Sequence, residues 1–396
     1  MKKGLILFCL VLLAGPVHAN VDDLSKAVSE GKVNFDFRYR YEFVDQDGID
    51  EEAGASTLRS RMTFVSGAVN GWTAGVEADY TAVIGSERFN STENGMVEYP
   101  VVADPEGFDL NQAYLRYKND DLTFTGGRQR IVHAGQRFVG GVAWRQNEQT
   151  YDAARIQFKP SKAISLDYSY VWNVNRIFGP NDGAQPADWR GDSHFLIANW
   201  TVEEGHKLEA FAYLLDFDND NGVPNSTATY GVGYTGKFGP IGVNASYATQ
   251  SDHGDSPLDY DADFYSIGVN AKVSKVTLNA GMEVLGSDDG LVGFKTPLAT
   301  LHKFQGWADK FLGTPAAGIE DTYAGVAGSI GKVKVALTYH DFQSDEGSID
   351  YGDEINVVAT MPIKKGTTVQ LKYADYSADE FATDTTKIWL SFMLKF

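Results

Sequence analysis

Nine arginines hold the most evident chemistry in this chain: Arg38, Arg40, Arg59, Arg61, Arg116, Arg128, Arg130, Arg145 and Arg155. A guanidinium binds a carboxylate or phosphate through two parallel hydrogen bonds, and it stays charged at any physiological pH. Arg38 and Arg40, like Arg59 and Arg61, are two residues apart. In extended chain that spacing puts both side chains of a pair on one face. Such a row recognises anions and does no covalent chemistry. All thirteen arginines lie between Arg38 and Arg190, and later positive charge is lysine alone. The competing reading makes them structural, paired to Asp36, Glu42, Glu77, Asp79 and Asp167.

The segments that carry these arginines are strands. Residues 33–43 alternate Val33, Phe35, Phe37, Tyr39, Tyr41 and Phe43 with Asn34, Asp36, Arg38, Arg40 and Glu42. Residues 387–396 close the chain with Ile388, Leu390, Phe392, Leu394 and a terminal Phe396 at even positions. Period-2 segments of this kind recur about eighteen times, and the links between them alternate short and long. Short links include Asn70-Gly71, Asn119-Asp120 and Glu204-Gly205, while long polar ones include 85–107, 132–149 and 287–319. Sorting by length along a whole chain is the habit of outer-membrane barrels, with short periplasmic turns and longer external loops. The expected fold is therefore all-β, a transmembrane antiparallel barrel of about 18 strands. Slipping one strand by a residue would turn arginines to lipid, at roughly 2–4 kcal/mol each near the midplane. Two segments, 193–203 and 206–217, are apolar on both faces and escape assignment. A change of parity around Gly126-Gly127 predicts a bulge there.

Residues 1–19 have the charged start, apolar stretch and Val17-His18-Ala19 ending of a secretory signal. Residues 20–32 form a periplasmic lead-in, and 33–396 form the barrel. The single cysteine, Cys9, falls in the signal, so the mature chain has neither disulfide nor thiol chemistry. A formal net charge of −19 argues against nucleic acid as a partner. No GxSxG elbow or HxxxH pair occurs, so no enzyme is expected and no cofactor is implied. Asp216, Asp218 and Asp220 resemble the start of a calcium loop, but Gly222 comes one position late and no closing glutamate follows. A solvated loop is the preferred reading, with no metal.

Two long links are too particular for generic loops. One runs from Gly127-Arg128-Gln129 through His133-Ala134-Gly135-Gln136-Arg137-Phe138 to Trp144-Arg145-Gln146-Asn147 and Tyr151-Asp152-Ala153-Ala154-Arg155. The other runs from Leu298 through His302-Lys303-Phe304-Gln305-Gly306-Trp307-Ala308-Asp309-Lys310-Phe311-Leu312 to Ile319-Glu320-Asp321. Both resemble the alginate export family of outer-membrane porins. The resemblance implies a monomeric barrel in the outer membrane, among its lipid and lipopolysaccharide, with an arginine-lined conduit for a polyuronate. Arg38, Arg40, Arg59, Arg61, Arg128, Arg130, Arg145 and Arg155 would line it. The chain departs from that pattern in lacking arginine in its C-terminal half.

The expected function is passive passage of anionic solutes, such as uronate-type oligo- or polysaccharides or small anions. The alternatives are a general porin preferring cations, or a barrel enzyme or adhesin. Within the second link, His302, Lys303, Phe304, Trp307, Asp309, Lys310 and Phe311 are expected to form a constriction and to touch sugar, since aromatic faces stack on sugar rings. An external loop packed on its neighbours is the plainer alternative.

Overall fold

The computed structural model describes residues 21–396; the signal expected at 1–19 lies outside them. A short helix, α1 (Val21–Ser29), leads into twenty strands. They are β1 (Lys32–Gln46), β2 (Ala53–Val65), β3 (Trp72–Arg88), β4 (Gly107–Lys118), β5 (Leu122–Gln129), β6 (Thr150–Phe158) and β7 (Ile164–Asn175). Next come β8 (Asp188–Glu203), β9 (His206–Leu215), β10 (Thr227–Phe238), β11 (Ile241–Asp252), β12 (Asp261–Val273) and β13 (Val276–Leu285). A two-rung hairpin of β14 (Ser287–Asp288) and β15 (Val292–Gly293) sits inside a loop. The wall resumes with β16 (Ile319–Ile330), β17 (Val333–Gln343), β18 (Asp350–Lys364), β19 (Thr367–Ala378) and β20 (Thr385–Lys395).

Eighteen of these strands form one antiparallel sheet, each paired to its neighbours, and β20 pairs back onto β1. Closure removes every sheet edge, as a bilayer requires of a structure built from strands. No helix among the described residues is long and apolar enough to cross a membrane. The outer face is the apolar half of the alternation: Val76, Tyr80, Leu166, Tyr168, Trp172, Leu196, Trp200, Leu337 and Tyr339 are all exposed. Aromatics collect at the rims. Phe35 lies 5.5 Å from Phe396 at the periplasmic end, and toward the other end Tyr80 and Tyr247 turn their hydroxyls to Glu106 and Asp263, each at 2.9 Å.

The expected bulge at Gly126-Gly127 does not occur. β5 pairs residue for residue with β4 and β6 across that site. Gly127 instead takes a φ of 113°, and a Cβ there would stand 2.4 Å from the Ala113 carbonyl oxygen. The glycine pair marks a close backbone approach, while the register shifts fall on neighbouring pairings, at Glu77/Ala78 and Asp152/Ala153.

β8 and β9 are apolar on both faces because the lumen they face is filled. Phe195, Ile197, Phe211, Tyr213 and Leu215 are buried inward, whereas Leu196, Trp200 and Leu208 are exposed outward. Phe138, from the loop after β5, packs 4.8 Å from Phe211 and 5.2 Å from Phe264. The barrel therefore has an internal core made by its own loops.

Candidate functional site

Two long loops, 130–149 and 294–318, fold into the barrel and bond to each other. The Gly140 amide donates to the Leu298 carbonyl at 2.8 Å, the Val142 amide to Thr300 Oγ1 at 3.0 Å, and Lys303 Nζ to the Gly135 carbonyl at 2.6 Å. Together they partition the lumen.

The first loop lies over the arginine row. Arg38 donates to Gln146 Oε1 and the Ala143 carbonyl, both at 2.9 Å, and also to the Arg145 carbonyl. Arg40 is buried with its guanidinium 4.0 Å above the Trp144 ring. Arg59 pairs with Asp36 at 2.7 Å, and Arg61 with Asp79 at 2.5 Å and with Glu148. Arg130 reaches Glu77 and Glu148, and Arg145 bridges Glu42 at 3.1 Å and Asp104 at 2.9 Å. Burial alone would raise the Glu148 carboxyl, but Arg61 and Arg130 outweigh it and hold it at about 2. The same balance, with Asp104 and Glu42 opposing burial, keeps Arg145 firmly cationic.

The remaining arginines are dispersed. Arg155 pairs with Asp167 at 2.5 Å, and Arg116 donates to Thr125 while stacking on Tyr114 at 4.6 Å. Arg128 pairs with Asp152 at 2.8 Å and donates to the Leu110 carbonyl. Within β5 it alternates away from the buried Thr125 and Gln129. Four sequence-predicted arginines, Arg38, Arg59, Arg61 and Arg130, meet at one cavity of about 580 Å³. It carries five cations, these four with Lys395, against Asp36, Glu77 and Glu148.

The second loop divides between wall and lumen. His302 Nδ1 is 2.7 Å from Asp309 Oδ1, and Asp309 Oδ2 accepts from Lys387 Nζ at 2.9 Å. His302 Nε2 then faces Lys372 Nζ at 2.7 Å, which makes the ring a neutral acceptor at that nitrogen. Lys372 lies 3.8 Å above Trp144, 3.7 Å above Trp307 and 5.1 Å from Trp389, so both loops and the wall share one buried ammonium. Glu354 Oε1 accepts the backbone N–H of Trp307 at 2.5 Å and of Ala308 at 2.9 Å. Phe311 is buried among Phe342, Tyr351, Tyr376 and Phe381, and Lys310 donates to Thr385 at 2.7 Å. Of the residues expected at a constriction, Lys303, Phe304 and Trp307 border a second cavity of about 550 Å³. His302, Asp309, Lys310 and Phe311 turn into the wall and anchor the loop.

This second cavity lies against the arginine-free half. Asn244, Ser246, Asn279 and Thr338 border it, and its charges balance: Arg137, Lys207 and Lys303 against Glu209, Glu283 and Asp321. The acidic loop at Asp216, Asp218 and Asp220 does not converge, and among the described residues no three acidic, histidine or cysteine side chains are placed to hold a metal.

Sequence reasoning missed Glu148, Glu354, Lys372 and the role of Trp389. The signal was available for Trp389: it breaks the apolar-even rule of the last strand at an odd, inward position. Nothing local distinguishes Glu354 from other inward carboxylates.

A closed antiparallel barrel with a charged lumen and infolded loops defines the outer-membrane porin class. The alginate export family model matches residues 30–267, and the chain belongs to that family. Among solved structures it is similar to OccAB4 of Acinetobacter baumannii, with a TM-score of 0.73 at 14% identity over 93% of this chain and 98% of that one. OccAB2 of the same species gives 0.73 at 15% identity over 94% and 99%. OpdK of Pseudomonas aeruginosa, solved with vanillate, gives 0.70 at 12% identity over 93% and 100%. At these identities the likeness is one of fold. No curated protein matches the chain in sequence. Family and fold together make the protein an outer-membrane porin.

Proposed function

We propose that this porin is a passive, non-enzymatic and monomeric channel for anionic solutes, with uronate-type oligo- or polysaccharides such as alginate as the leading class. The carrying observation is the cavity where Arg38, Arg59, Arg61, Arg130 and Lys395 outnumber three carboxylates. An excess of fixed cations in a narrow, low-dielectric passage concentrates counter-charged solute. Membership of the alginate export family supports a sugar-acid cargo. The vanillate bound to OpdK supports a smaller carboxylate as a second cargo within the same reading. Lipid and lipopolysaccharide complete the surroundings of the barrel.

The test is reversal potential across a salt gradient in planar bilayers, repeated with polyuronate on one side. Chloride over potassium permeability and block by oligouronate are the expected results. Arg59→Ala with Arg61→Ala should lower that ratio, and unchanged potentials would remove the arginines from the mechanism. A general diffusion reading draws on the charge-balanced second cavity with its neutral amides and hydroxyls. With acidic loops and a net charge of −19 setting the field at the mouth, it expects cation preference and no block.

A further inference from the structure

The lead-in helix α1 is amphipathic, and its apolar side is bare. Val21, Leu24 and Val28 stand at i, i+3 and i+7, within one narrow stripe of a 3.6-residue helix. They are 81%, 61% and 68% exposed. Asp22, Asp23, Ser25, Lys26 and Ser29 occupy the rest of the circumference. No residue of α1 is buried, so the barrel does not account for the stripe.

The attachment of the helix places this stripe. The Gly67 amide, in the turn between β2 and β3, donates to the Ala27 carbonyl at 2.7 Å. Immediately after α1, a Cβ on Gly31 would stand 2.4 Å from the Phe64 ring. Phe64 belongs to the outward row of β2: it pairs with Val33 and Val76, both exposed, and alternates with the inward Thr63, whose hydroxyl bonds Glu77. The chain therefore leaves the helix across the lipid-facing surface of the barrel, at its periplasmic rim. A helix with this residue pattern, fixed beside the hydrocarbon band, continues that band outward.

We infer that α1 is an interfacial anchor that lays Val21, Leu24 and Val28 into the inner-leaflet phospholipid of the outer membrane. The occupant is lipid rather than a protein partner, because the stripe is continuous with a surface already in contact with lipid. Apolar area at the headgroup boundary supplies the affinity, and Asp22, Asp23 and Lys26 remain on the aqueous side. The helix would fix the N-terminus beside the barrel and outside the lumen.

The test uses the whole mature barrel. Its only cysteine is in the expected signal, so Leu24→Cys or, on the opposite face, Lys26→Cys yields one labelling site. Each variant is labelled with an environment-sensitive fluorophore and placed in vesicles of phosphatidylethanolamine and phosphatidylglycerol, with or without brominated acyl chains. The expected result is a blue-shifted emission at position 24, strongly quenched by brominated lipid, and a water-like, unquenched signal at position 26. Equal, water-like signals at both positions would overturn the inference. So would a blue shift at position 24 without bromine quenching, since that places the stripe against protein. Val28→Asp, combined with Leu24→Cys, should abolish the quenching while leaving the heat-modifiable mobility of the folded barrel unchanged. Quenching that survives this substitution also counts against it.

Discussion

Trp144 is the residue on which the seating of the two infolded loops turns. One indole carries Arg40 at 4.0 Å and Lys372 at 3.8 Å, and stacks on His302 with ring centroids 4.3 Å apart. Cation–π contacts out of water are worth about 2 kcal/mol each, so replacing this ring removes one such contact from each of two buried cations. Trp144→Ala should cost about 3 kcal/mol in the seating of the loops. The expected readout is a larger and noisier single-channel conductance with an intact, heat-modifiable barrel. A second residue makes the same point through backbone. Gly306 has a φ of 77°, and a Cβ on it would stand 2.2 Å from Glu354 Oε2. Gly306→Ala combines left-handed strain of about 1–2 kcal/mol with that clash, and should expose the 294–318 loop to protease. Wild-type digestion kinetics in the variant would show that Glu354 does not hold the loop.

At the scale of the element, the 294–318 loop should be sensitive to pH. Burial, with Asp309 opposing it and Lys372 adding to it, lowers His302 from its ordinary 6.5 to about 3. A released loop would bind a proton there between pH 6.5 and 3 that the seated loop excludes. The contribution of His302 to the seat is then complete above 6.5 and falls as the pH drops through that window. Burial, reinforced by Lys387, lowers Lys310 from 10.5 to about 8. Between 8 and 10.5 the released loop again holds the extra proton, so the seat strengthens as pH rises. Open-channel noise recorded from pH 4 to 10 should therefore decrease with rising pH in two steps. His302→Gln should flatten the acid step and Lys310→Met the alkaline one. The sequence made the barrel strands readable because lipid on one side and ions on the other impose strict alternation on Val33 to Phe43 or Ile388 to Phe396. It made β8 and β9 unreadable for a related reason: the Phe138 that fills their lumen comes from a loop more than fifty residues earlier. A polar row needs water beside it, and there the chain itself displaces the water.

The whole molecule is a barrel with an uneven interior, one sector with an excess of cations and one whose charges balance among neutral amides and hydroxyls. The arginine row was legible from spacing; its coverage by the 130–149 loop was not, because Gln146 and Glu148 meet Arg38 and Arg61 only after long-range closure. This coverage makes net selectivity depend on a few unmatched charges. Glu148 is the most informative charge to remove, since it lies between Arg61 and Arg130 and each of these keeps another carboxylate, Asp79 or Glu77. Glu148→Gln can therefore remove one negative charge without leaving either arginine unpaired. Its cavity would change from five cations against three carboxylates to five against two. Permeability should move further toward chloride, opposite in sign to the effect of Arg59→Ala with Arg61→Ala. The two substitutions bracket the wild type on one reversal-potential axis. If Glu148→Gln leaves the potential unmoved while the double arginine variant shifts it, ions avoid this cavity and the arginines act by shaping the wall. If both are silent, transport follows the neutral sector along Asn244 and Asn279, and charge at the arginine row serves only to hold the loop in place.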